Sequence, residues 1–140
     1  MVRTGQRISE QAHLTVFEVP AATGLGGYER FWLPGAIAKN CSARWIYAPH
    51  SVVQDVIAYQ QWDRPEVVEN ARAAGRYQRL RRPLVIDDPS RPGVVQRLSA
   101  SGVHRMRLRD LGVAERRRLL RETADGLEPA MLWLTEEACR

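Results

Sequence analysis

The chain has only two cysteines, Cys41 and Cys139, in 140 residues. Two are too few for a disulfide framework or a four-cysteine zinc site, and both thiols are expected to be reduced, as in a cytoplasm. The three histidines, His13, His50 and His104, lack metal-ligand spacing such as H-x₃-H. No apolar run approaches the roughly 18 residues that span a bilayer, so no membrane partner is expected. The basic amino terminus, MVRTGQRISEQAHLTVFEVP, has no apolar stretch with a small-residue cleavage site and does not read as a signal peptide. Internal repeats, low-complexity tracts and long linkers are also lacking, which predicts one domain over residues 1–140.

Lysine is nearly absent too. Of the 21 basic residues, 20 are arginine and one is Lys39. What is present is a composition that can build a core, 44% hydrophobic and 26% charged, with a net charge of +5. The charge is unevenly placed. Residues 1–63 balance five basic groups against five acids, residues 64–121 hold fifteen arginines against six acids for a net of +9, and residues 122–140 hold one arginine against five acids. A local excess of that size attracts phosphate or acidic partners. A GC-rich genome would produce the same arginine bias without selection for binding.

The pattern of elements predicts a mixed α+β chain: an N-terminal antiparallel hairpin or meander with two helices, then a C-terminal βαβα unit. Leu14 to Val19 reads as a strand, Thr23-Gly24-Leu25-Gly26-Gly27 as a wide hairpin turn, and Tyr28 to Leu33 as the returning strand. Ala43 to Ala48 reads as a third strand. Ser51 is expected to cap a helix to about Trp62, and Asp63 a second helix with Pro65 in its first turn and Val67, Val68, Ala71 and Ala74 facing inward. Leu84-Val85-Ile86 reads as a buried strand, Pro92 to Ala100 as a helix closed by Gly102, and Val103 to Arg109 as a parallel strand. A helix from Val113 to Thr123 and a last helix through Leu127, Ala130, Met131, Leu134 and Ala138 follow, the latter with Asp125 and Glu128 spaced as a capping box.

Four constellations are candidates for chemistry. The first is a pair of arginine rows. Alternation on a strand puts Arg105, Arg107 and Arg109 on one face, and helical spacing puts Arg72, Arg76 and Arg79 on another, with Arg81 and Arg82 next. Like charges so spaced repel, which suggests a partner bearing phosphate, since guanidinium binds it bidentately. The bland alternative is a solvated face, or neutralisation by Glu66, Glu69 and the acidic carboxyl-terminal helix. Tyr77 is the sole aromatic residue between Asp63 and Leu132, which weakens a single-strand reading.

The second constellation is Asp87, Asp88 and Asp110, expected together at the carboxyl edge of a parallel sheet. There they would suit Mg²⁺ and phosphoryl or phosphodiester chemistry, with Arg91 and Arg109 beside them. Capping of two helices, by Asp88 or Ser90 and by Asp110, explains them as well. The third is Cys41 with His50 or His104 as a nucleophile and base. No cysteine-enzyme signature surrounds Cys41, and His104 shares a face with Met106 and Leu108, as a core histidine would. The fourth is the glycine loop and the aromatics after it. The loop lacks the lysine and the helix of a phosphate-binding loop. Trp32, Trp45, Tyr47, Tyr59 and Trp62 would line a small-molecule pocket, with Trp45, Tyr47 and Tyr59 as its chief candidates, or form the main core.

The leading expectation is a small cytoplasmic accessory protein that binds nucleic acid or another polyanion through an arginine-rich face. The alternatives are a small enzyme, at the aspartates or in an aromatic pocket, and a subunit that docks on a protein partner.

Overall fold

The computed structural model describes residues 4–24, 26–88 and 90–134. Its elements are α1 (Ile8–Ala12), β1 (Tyr28–Leu33), β2 (Arg44–Pro49), α2 (His50–Gln61), α3 (Asp63–Ala73), β3 (Leu84–Ile86), β4 (Val94–Ser99), β5 (Gly102–Arg107), α4 (Val113–Arg116), β6 (Leu119–Thr123) and β7 (Gly126–Pro129), with three short 3-10 turns between them. The chain is α+β, with an antiparallel hairpin and two helices first and a strand-rich second half. Among the described residues no helix is long and apolar enough to cross a membrane.

The hairpin pairs β1 with β2, in a register that sets Arg30 opposite Tyr47 and Trp32 opposite Trp45. Alternation then divides the ribbon. Leu33, Ile46 and Ala48 are buried and Phe31 half-buried on the inner face, while Tyr28, Arg30, Trp32, Trp45 and Tyr47 are exposed on the outer one. The inner face packs with Leu14, Ile37, Val56 of α2, and Leu132 in one cluster. Pro49, rather than Ser51, stands at the amino-terminal boundary of α2, where its fixed φ suits helix entry. Trp62, not Asp63, is the boundary residue of α3. Of the residues expected inward on α3, Val68 and Ala71 are buried, Val67 is half-buried and Ala74 is exposed.

Segment 14–19 is not the partner of β1. Thr15 forms an isolated antiparallel bridge with Met131, and Val16 and Leu132 exchange backbone hydrogen bonds with Ala130 and Leu14. The glycine stretch therefore links this segment to β1 and is not a hairpin turn.

The second sheet has the order β5-β4-β3-β6-β7. Only β3 and β6 are parallel; the other pairs are antiparallel. The predicted βαβα unit is corrected here. Residues 94–99 are strand, not helix, and pair with β5 across a two-residue turn. Gly102, read as a helix stop, has a φ of +120° and serves the hairpin instead. Val94 and Val95 favour a pleated surface, and Val95 is fully buried there. The helix expected over 113–123 stops at Arg116, and Leu119 and Leu120 continue as β6, each buried on an opposite sheet face. Asp125-Gly126 is the turn between β6 and β7, so the last predicted helix is replaced by β7. An Asp-Gly pair between apolar runs is a strong hairpin signal. Ala138, placed on that helix, lies outside the described residues.

Leu84, Ile86, Val95, Leu108, Leu111, Leu119 and Ala130 form the core on one face of this sheet, with Phe17 and Met106 against them. Leu120 on the other face meets Val68 and Ala71 of α3, with Tyr77. Each fully buried leucine contributes about 1.5–3 kcal/mol.

Candidate nucleic-acid interface

The outer face of the β1–β2 ribbon carries four exposed rings: Tyr28 (66%), Trp32 (42%), Trp45 (49%) and Tyr47 (57%). Trp32 and Trp45 meet edge to face, with centroids 5.3 Å apart. The Arg30 guanidinium lies 4.7 Å over the Trp45 ring, a cation–π contact that holds the positive charge on the ribbon surface. The acid of this strand, Glu29, faces inward. It accepts hydrogen bonds from the Thr23 backbone N–H (2.9 Å) and hydroxyl (2.8 Å), and these keep its carboxyl below the usual range. His50 lies 3.6 Å from the same carboxylate.

Beside β1 is a cleft of about 590 Å³. Arg30 and Trp32 line it from β1, Phe17 and Glu18 from the preceding segment, and Arg107 and Arg109 from the end of β5 and beyond. Glu18 adds little negative potential to it, because the Arg116 guanidinium binds both its carboxylate oxygens at 2.7 and 2.8 Å. The same carboxylate accepts the Thr15 backbone N–H at 2.8 Å. Arg116 is fully buried, so this ion pair fixes the 14–18 segment against α4 and thereby shapes one wall.

The two predicted arginine rows separate. Arg105 and Arg107 are exposed on β5, an edge strand. Arg109 falls beyond the strand, in a 3-10 turn, with Asp110 at 4.0 Å and both side chains largely exposed; such a pair is worth little. Arg72 does not join them. It pairs with Glu69 at 3.0 Å and lies 3.8 Å from Glu128, on β7 at the opposite sheet edge. Four strand spacings, about 19 Å, separate the two edges. Helix α3 ends at Ala73 and Gly75 turns the chain at φ +66°, so Arg76 and Arg79 lie in the turn and not on a helical row with Arg72. Arg64 and Arg121 also converge on Glu128. The excess of positive charge in the middle of the sequence is therefore partly consumed inside the fold.

Asp87, Asp88 and Asp110 do not gather around one point. Asp87 accepts a hydrogen bond from Gln96. Asp88 accepts the Ser90 N–H at 2.9 Å and its hydroxyl at 2.5 Å, and these hold its carboxyl below the usual range. Strand β4 runs between β3 and β5, so the aspartates after those strands are not on neighbouring strands. Gly112, not Asp110, precedes α4. Among the described residues no three His, Cys, Asp or Glu side chains could hold a metal ion such as Mg²⁺.

The aromatic pocket is corrected as well. Trp45 and Tyr47 point outward, away from α2, whereas Tyr59 packs on Trp133 at 4.9 Å and bonds the Leu134 backbone. The three rings do not face one another, and Trp32, Trp45 and Trp62 are not the core, since all are exposed. Cys41 carries an exposed free thiol. His50 is bonded to Gln54 and His104 to Ser101, and His104 is exposed, not packed in a core. Cys139 lies outside the described residues.

No protein family, curated protein or solved structure matches the chain.

Arg30 is a cleft residue that the sequence reading missed, and Trp32, expected in an aromatic pocket or the core, lines this cleft instead. Their signal is the period-2 series Tyr28, Arg30, Trp32, which puts two rings and a cation on one face with no acid. It was masked by the general preference of tryptophan for burial.

Proposed function

We propose that this protein binds nucleic acid as an accessory protein, with Arg105, Arg107 and Arg109 joined by Arg30. One observation carries the reading. Three arginines from two stretches far apart in the chain, Arg30 on one and Arg107 and Arg109 on the other, line a single cleft whose acid, Glu18, is already neutralised by Arg116. Guanidinium groups that share a concave site and carry at most a weak, exposed ion pair favour phosphate, which each can bind bidentately. The cytoplasmic setting rests on the scarcity of cysteine alone.

The test is fluorescence anisotropy with labelled DNA and RNA over a range of salt. Affinity should fall steeply as salt rises, by counterion release. Arg107→Ala and Arg109→Ala should weaken binding to all sequences alike, each reducing the salt slope by about one. Absence of binding at low salt, or binding that the two substitutions leave untouched, would refute the proposal.

A further inference from the structure

We infer that the ligand is single-stranded nucleic acid, whose bases stack on the outer face of the β1–β2 ribbon while its phosphates enter the arginine cleft. This rests on the reading above and goes further, because it names the form of the nucleic acid and assigns a second surface to it.

The argument starts from the four exposed rings. Tyr28, Trp32, Trp45 and Tyr47 occupy one face of a six-residue ribbon, about 20 Å long. The opposite face is buried against α2 and the 14–16 segment, so only the aromatic face is open. Exposing this much ring surface to water is unfavourable, and large exposed apolar patches mark binding sites. The face is continuous with the cleft, since Arg30 and Trp32 belong to both.

Charge decides the occupant. Arg30 sits among the rings, Arg107 and Arg109 line the adjoining cleft, and Glu29 faces inward. A proline-rich peptide or a neutral sugar would use the rings but bring no anion to the three cations. A nucleic acid uses both, with bases for the rings and phosphates for the arginines.

Geometry decides between single strand and duplex. A two-stranded ribbon can read the major groove of a duplex, but it does so with polar side chains matched to base edges. This ribbon offers four rings, and rings need the faces of bases, which a duplex hides inside its stack. Unpaired bases expose them. The shared chemistry, an unpaired base next to a phosphodiester, belongs to DNA and RNA alike.

The test uses the full chain and five probes: labelled oligothymidylate and oligouridylate of about 15 nucleotides, a duplex of similar charge, a labelled proline-rich peptide, and inorganic polyphosphate as competitor. Both single strands should bind more tightly than the duplex. Trp45→Ala and Tyr47→Ala should each lower single-strand affinity by about 5- to 150-fold while leaving polyphosphate binding unchanged. Trp45→Phe should retain most of the affinity, which separates lost stacking from lost folding. Arg107→Ala should weaken every anionic probe. Equal binding of duplex and single strand, lost in Arg107→Ala but unchanged in Trp45→Ala, overturns this inference and leaves the nucleic-acid reading standing. Tighter binding of a proline-rich peptide than of either oligonucleotide also overturns it. If no probe binds, the proposed function falls and this inference with it.

Discussion

Replacing Arg116 with methionine should remove a large fraction of the stability of this protein. The side chain is fully buried. All five of its N–H groups have partners: Nε donates to the Leu111 carbonyl (2.9 Å), and the two terminal nitrogens donate to the carbonyls of His13 (2.9 Å) and Leu108 (3.2 Å) and to both oxygens of Glu18. Methionine fills similar volume but donates nothing. It would leave a largely buried carboxylate uncompensated and three carbonyls short of a donor. Breaking a buried pair from one side costs about 3–5 kcal/mol. Total stability is on the order of 5–15 kcal/mol, so Tm should fall by roughly 10–15 °C. Urea unfolding followed by circular dichroism measures this directly. Arg116→Lys keeps the charge without the fork and should lie in between. A double-mutant cycle with Glu18→Gln should show a coupling of more than about 1.5 kcal/mol. If Arg116→Met loses less than about 1 kcal/mol, the ion pair does not hold the 14–18 segment in place.

Two further outcomes follow from other sites. Burial raises the Glu10 carboxyl, but hydrogen bonds from Arg44 and from the backbone N–H groups of Arg7 and Lys39 outweigh it and bring the pKa from 4.5 down to about 2. Its folded-state pKa is depressed, so its stabilisation is complete above about pH 4.5 and fades as pH falls toward 2; Glu10→Gln should flatten the acid limb of a stability-against-pH curve, and an unchanged limb would refute this. Gly102→Ala isolates backbone strain, because φ is +120° and an added Cβ meets nothing within 4 Å. It should cost about 1–3 kcal/mol in denaturant unfolding, and a neutral result would mean that the β4–β5 turn relaxes.

The first half of the fold was more legible than the second because its signals are longer. The 3.6-residue period over 51–62 and the alternation over 28–33 each extend far enough to identify α2 and β1. In the second half the apolar runs are short and ambiguous. Pro92 to Ala100 has two prolines' worth of helix-start signal nearby and a glycine at its end, yet Val94 and Val95 belong to a hairpin. Its partner strand supplies the backbone hydrogen bonds that no local signal announces. Likewise Glu128 sits three residues after Asp125, as in a capping box, but Asp125-Gly126 makes the tighter hairpin turn and frees Glu128 to receive Arg64 and Arg121. On the candidate site, Arg105 and Arg107 were readable from alternation on one strand. Arg30 was not, because its role depends on β1 and the end of β5 lining one cleft, which brings together residues more than seventy positions apart in the sequence.

Arginine count is a poor guide to where this chain presents positive charge; pairing with carboxylates is a better one. Glu128 receives Arg64 and Arg121 and lies near Arg72, and Glu18 receives Arg116. Those guanidinium groups are structural: they join β7 to α3 and the 14–18 segment to α4. Glu18 matters twice, because it also lines the cleft. Were Arg116 absent, its carboxylate would share the cleft with Arg30, Arg107 and Arg109 and would compete with phosphate for them. The buried cation that fixes the wall is thus also what keeps the cleft cationic. A residue with no exposed surface sets the electrostatic character of the site, and the folding of that segment and its capacity to receive an anion rest on the same ion pair.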